Sequence, residues 1–116
     1  MAQAKQVTAQ SFQTEVLRSD VPVLVDFYAS WCAPCRAMAP VLDRVAARVA
    51  GRAKVVKVDV DKAPKVAARF QISSIPTLVL IHQGKVVGTV VGMTSADKLV
   101  AMIDNAARRT AAAATR

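Results

Sequence analysis

The 116-residue sequence predicts an α/β fold, with a central mixed sheet of five strands and helices on both faces. Three observations carry that expectation. Residues 21–29 form a nearly continuous apolar run, the pattern of a strand covered on both sides. Directly after it the spacing turns helical: Met38, Val41, Leu42, Val45 and Val49 fall on one face of residues 35–49. Further on, two short apolar strands, 77–82 and 86–91, flank Gln83-Gly84-Lys85, which reads as a hairpin turn.

The remaining elements fit around these. Residues 5–8 suit a short first strand, and Ser11 is positioned to cap a short helix that turns Phe12, Val16 and Leu17 inward and ends near Ser19-Asp20. In the long helix Pro40 removes one hydrogen bond, but the periodicity continues past it, so a kink is expected rather than an end. Gly51 closes that helix. Residues 53–59 alternate as a third strand, and 61–70 suit a short helix with Pro64 in its first turn. Ser95 should cap a last helix with Leu99, Ile103 and Ala106 inward and Arg108-Arg109 at its C-terminal end, where positive charge suits the dipole. One domain over 1–109 follows, with 110–116 as an alanine-rich tail expected to fray.

Composition excludes several function classes. A hydrophobic content of 53% argues against disorder, and no apolar run approaches the ~20 residues of a membrane span. The N-terminal residues have no apolar signal-like core, so a cytoplasmic protein is expected. The net charge is +8, with Arg44, Arg48 and Arg52 at four-residue spacing on the second helix. A solvated helix face accounts for them. Nucleic-acid binding would need a denser basic patch with aromatic residues among it, and aromatic content is only 4%.

The chemistry is concentrated in Trp31-Cys32-Ala33-Pro34-Cys35, which holds the only two cysteines. They stand at the turn from strand to helix, where unpaired amide N–H groups and the positive end of the helix dipole favour thiolate over thiol. Three rivals fail on simple grounds. Four-coordinate zinc needs two more ligands, and only His82 is on offer. A c-type haem attachment needs His at position 36, which is Arg. A purely structural disulfide would close too short a loop to restrain the unfolded chain much. The pair reads as a redox couple.

Nearby residues extend the site. Asp26 lies inside the covered strand, where a charge is expensive. Either it turns outward at a strand end, or burial raises its pKa and makes it a proton carrier; the covered pattern favours burial. Lys57 lies in the third strand, which could bring its ammonium toward Asp26 if the two strands are neighbours. Trp31, beside a reactive thiol, reads as an apolar docking surface. For Ile75-Pro76, at a strand start, the trans bond is the default on the residues alone.

Taken together, Val25-Asp26-Phe27-Tyr28-Ala29, Trp31-Cys32-Ala33-Pro34-Cys35-Arg36, Met38-Ala39-Pro40, Val58-Asp59-Val60-Asp61, Ile75-Pro76-Thr77 and Val91-Gly92 resemble the thioredoxin family, from about residue 7 to 107. The resemblance implies the thioredoxin fold: a five-stranded sheet in the order 1-3-2-4-5 with four helices, strands four and five antiparallel to their neighbours. It implies a general protein-disulfide reductase that acts on protein disulfide substrates as a monomer. No cofactor is implied beyond a redox-active Cys32–Cys35 disulfide, recharged by thioredoxin reductase, an NADPH-dependent flavoprotein. In those terms Cys32 attacks, Cys35 resolves, and Asp26 is the buried acid/base with Lys57 near it. Trp31, Ala33, Pro34, Ile75, Pro76 and Gly92 form the substrate-binding surface, with Pro76 cis.

Some positions depart from the commonest family pattern: Ala33 for Gly, Tyr28 for Trp, Ser74 for Gly, and Met93 for a small residue. Residues 69–76 with 36–40 are similar to a second bacterial type that often carries an N-terminal zinc module with four cysteines, which this sequence lacks. Two other functions compete with the reductase. A thiol oxidase is disfavoured by the absence of an export signal, and a redox-independent holdase or docking subunit by the spaced cysteines with Asp26 behind them.

Overall fold

The computed structural model describes residues 3–114, and side chains as far as residue 109. Five strands form one sheet: β1 (Lys5–Gln6), β2 (Val23–Tyr28), β3 (Lys54–Asp59), β4 (Thr77–His82) and β5 (Lys85–Val91). Three α-helices, α1 (Ala33–Arg48), α2 (Pro64–Arg69) and α3 (Ala96–Ala114), and a helical turn at Gln13–Leu17 complete the expected set of four helical segments. The strand order is β1-β3-β2-β4-β5. β3 runs parallel to β1 and β2, while β4 is antiparallel to both β2 and β5, as the resemblance implied.

Two apolar layers hold the sheet. Successive strand residues alternate faces, so Leu24 and Val55 turn to α1 and α3, where Met38, Leu42, Val45, Leu99 and Ile103 are buried with them. Val23, Val25 and Phe27 face the other way, onto Phe12, Val16, Val66 and Ala67. Each fully buried Val, Leu, Ile, Phe or Met side chain contributes roughly 1.5–3 kcal/mol. β2 is therefore covered on both faces, which is why its sequence shows no alternation.

Several boundaries differ from expectation for local reasons. Ser11 does not cap a helix. It exchanges hydrogen bonds with Thr8 instead: Thr8 N–H donates to Ser11 Oγ at 3.0 Å and Ser11 N–H to Thr8 Oγ1 at 3.2 Å. The turn that follows closes with the wider bond from Arg18 N–H to the Gln13 carbonyl. α1 starts at Ala33 and runs unbroken through Pro40. The hairpin loop is Gln83-Gly84 alone, both at positive φ, the two-residue geometry that matches strand twist. α3 runs to Ala114, past the end expected at Arg108-Arg109, because alanine is the strongest helix former. Arg108 and Arg109 therefore lie inside the helix rather than in its last turn. Residues 115 and 116 lie outside the described residues.

The arginine row has a second use. Arg48, the last residue of α1, bonds Asp97 of α3 at 2.6 Å, and Arg52, in the turn past α1 rather than on the helix face as expected, bonds Asp104 of α3 at 3.1 Å. Exposed pairs of this kind contribute little each, up to about 1 kcal/mol. Among the described residues no helix is long and apolar enough to cross a membrane.

Candidate active site

The carboxyl end of β2 delivers the chain to α1, and the cysteines sit at that junction. Cys32 is the N-cap of α1, and its Sγ accepts the Cys35 N–H at 3.2 Å. Pro34 occupies the first turn of α1, where a missing N–H costs nothing. Cys32 and Cys35 are joined as a disulfide with Cα atoms 5.2 Å apart, so the state described is the oxidised one. Both cysteines are buried against Ala29, Tyr28, Val60 and Ile75, whereas Ala33 and Pro34 between them are exposed. A sulfur at a helix N-cap receives a backbone N–H and the positive end of the dipole. Both stabilise a thiolate when the pair is reduced.

The loop before β4 closes the other side. The Ile75 carbonyl oxygen lies 4.0 Å from Cys32 Sγ, and the Ile75–Pro76 bond is cis, as the resemblance implied and the residues alone did not. The Pro76 carbonyl accepts Gly92 N–H at 2.8 Å, which brings Gly92 to the same edge. Gly92 has φ +89°, a conformation that favours glycine. Trp31 is 67% exposed, and its Nε1–H donates to Asp61 Oδ2 at 2.8 Å, which anchors the ring at the surface. Trp31, Val60, Ile72, Ser73, Ser74 and Ile75 line a shallow cavity of about 210 Å³. Val91 and Met93 add exposed apolar surface on either side of Gly92. Sequence reasoning had no role for Asp61; its only signal was membership of the Val58-Asp59-Val60-Asp61 segment.

Asp26 is buried, at 1% exposure, and not turned outward. It shares the α1 side of the sheet with Leu24, two residues before it. Its Oδ1 has no hydrogen-bond partner among the described residues. Burial pushes its pKa up to about 7, against the opposing pull of the Lys57 ammonium. Register makes Lys57 the cross-strand neighbour of Asp26: Gln6, Lys57, Asp26 and Leu78 are successive partners across β1, β3, β2 and β4. Lys57 Nζ stands over the Tyr28 ring, 4.8 Å from its centroid, and Tyr28 OH donates to Gln6 Oε1 at 2.6 Å.

A pair of sulfurs that can open and close at a helix start, beside an exposed apolar rim, is built to exchange disulfides with other chains. The comparisons agree. The family model described as Thioredoxin matches residues 3–105. The chain is 54% identical to Thioredoxin 1 of Nostoc sp. over 92 residues, covering 79% of this chain and 86% of that one. It is 47% identical to Thioredoxin 1 of Synechococcus elongatus over 104 residues, 90% and 97% of the two chains. Thioredoxin C-2 of Corynebacterium nephridii is 46% identical over 97 residues, 84% and 90%. The chain therefore belongs to the thioredoxin family, and it is a thiol–disulfide oxidoreductase that reduces protein disulfides.

Proposed function

We propose that Cys32 is the attacking thiol, Cys35 the resolving thiol and Asp26 the group that takes the Cys35 proton. In the forward reaction the Cys32 thiolate attacks one sulfur of a substrate disulfide. A Cys32–substrate disulfide forms, and the substrate's other sulfur leaves as a thiolate. Cys35 then gives its proton to the Asp26 carboxylate, and its sulfur attacks Cys32 Sγ. The mixed disulfide breaks, the Cys32–Cys35 disulfide closes, and a second substrate thiolate leaves. Two electrons pass from the cysteine pair to the substrate. The single observation that carries this assignment is the N-cap position of Cys32, where the Cys35 N–H already points at its sulfur.

The substrate-binding surface we assign is Trp31, Ala33, Pro34, Ile75, Pro76 and Gly92. The Ile75 backbone beside Cys32 suits pairing with an extended substrate segment, as an added strand would. Two-electron recharging of the disulfide is assigned to a thioredoxin reductase of the NADPH-dependent flavoprotein class, and the setting to the cytoplasm, where such a pair is kept mostly reduced. The test is trapping. Cys35→Ser should accumulate a mixed disulfide with a protein substrate and Cys32→Ser should accumulate none, read on non-reducing gels. Equal trapping by both variants would refute the assignment. Turnover of a protein disulfide with NADPH and a thioredoxin reductase tests the recharging partner, and no turnover would exclude it.

A further inference from the structure

Tyr28 is one of the departures from the commonest family pattern, and it sits in an arrangement that the exchange reaction has not yet used. Parallel register puts Gln6, Lys57 and Asp26 side by side on β1, β3 and β2, with Lys57 in the middle. Tyr28, two residues beyond Asp26 and on the same face, reaches across β3 so that its hydroxyl donates to Gln6 Oε1 at 2.6 Å. The Lys57 ammonium lies 4.8 Å from the centre of the ring so held. Asp26 Oδ1, meanwhile, has no hydrogen-bond partner among the described residues, so the ammonium does not bond that oxygen.

We propose that Tyr28 and Gln6 are positioning residues for disulfide exchange: Gln6 fixes the Tyr28 ring across β3, and the ring seats the Lys57 ammonium on its face rather than in a bond to Oδ1 of the buried Asp26 carboxyl. The inference rests on the reading of Asp26 as the proton acceptor for Cys35. A cation seated on a ring face is attracted by the ring's negative quadrupole. While it stays there, the carboxyl is opposed mainly by its own burial and is kept near neutral pH, where a proton carrier works best. The other titratable and charged groups around Asp26 are few. β3 contributes Asp59, whose Oδ1 accepts Asp61 N–H. α1 contributes Cys35, closed in the disulfide, Arg36, which donates to the Ser30 carbonyl, and Asp43, which accepts Ala4 N–H. β4 and α3 supply apolar Leu78, Leu80, Leu99 and Ile103 to this layer.

Removing the ring frees the ammonium to approach the carboxylate and admits water beside it, and both effects favour the ionised form. Tyr28→Leu should therefore lower the midpoint of the Asp26 carboxyl titration by about half a pH unit or more, followed by NMR in the oxidised protein, where no thiol titrates. Gln6→Ala, at an exposed position that leaves the core intact, should shift it the same way by less. Tyr28→Trp keeps a ring and should hold the midpoint near its parent value. In a Lys57→Met background the Tyr28→Leu shift should fall to less than half its size. An unmoved midpoint in Tyr28→Leu, or an equal shift with and without the lysine, would overturn the seat. The companion measurement is the pH profile of mixed-disulfide resolution. Tyr28→Leu should move its acid limb with the titration, and Asp26→Asn should abolish that limb. A limb that survives in Asp26→Asn overturns the proton-acceptor reading and the catalytic meaning of the seat with it, whereas a failed titration shift overturns the seat alone.

Discussion

Replacing Asp26 by alanine should stabilise the protein, and by an amount that depends on pH in a defined way. The carboxyl is buried and its pKa lies at about 7 in the folded chain, against an ordinary value of 3.8. Below about pH 4 it is protonated in both folded and unfolded states, so ionisation contributes nothing. Between pH 4 and 7 the folded state holds a proton that the unfolded state has lost, and stability falls as pH rises. Above pH 7 the cost is complete. A difference of about 3 pKa units corresponds to roughly 4 kcal/mol. Asp26→Ala removes that cost and also leaves a small void, but the void costs the same at every pH. The difference in unfolding free energy between variant and parent should therefore grow in the variant's favour by roughly 3–4 kcal/mol from pH 4 to pH 9. Denaturant unfolding of the oxidised proteins across that range measures it without interference from the thiols. Glu15, which Lys5 holds below the usual carboxylate range, titrates alike in both proteins and cancels. A flat difference from pH 4 to pH 9 would show that Asp26 ionises as freely folded as unfolded, and the argument from burial would fail. The same variant should resolve mixed disulfides more slowly, since the Cys35 proton loses its acceptor.

Two further outcomes follow from local backbone. Ala33 is the first residue of α1, where alanine stabilises the folded chain over glycine by roughly 0.4–1 kcal/mol whether the cysteines are oxidised or reduced. Only a difference between those two states moves the potential, at about 30 mV per 1.4 kcal/mol, so Ala33→Gly should shift it by less than about 30 mV. Equilibration against a glutathione couple checks this, and a shift several times larger would favour an oxidase. Gly92→Ala meets open space around its new methyl but must hold φ +89°, so it should cost roughly 1–2 kcal/mol in denaturant unfolding, and no loss would contradict the strain argument.

What could be read from the chain alone is what near neighbours decide. The unbroken apolar run announced a strand covered on both faces, and the observed β2 buries Leu24 on one side and Phe27 on the other. Ser95 before the last helix does cap it, accepting the Lys98 N–H at 3.2 Å, because a cap needs only three residues of local geometry. The cysteine spacing and the helix start likewise defined the redox pair. Where local cues competed, local reading failed: Thr8 and Ser11 satisfied each other, and alanine carried α3 past the expected end. The resemblance, not the residues one by one, supplied the strand order and the cis bond before Pro76. Everything that tunes the site was decided by tertiary structure. Strand register turned Lys57 from a possible neighbour of Asp26 into its partner across β3 and β2. The Trp31–Asp61 and Tyr28–Gln6 bonds join residues 30 and 22 positions apart, and no periodicity encodes them. The raised pKa of Asp26 belongs to the same class. A carboxyl's proton affinity depends on how much water and charge the packed sheet and helices leave around it, and that environment exists only once the whole sheet has closed.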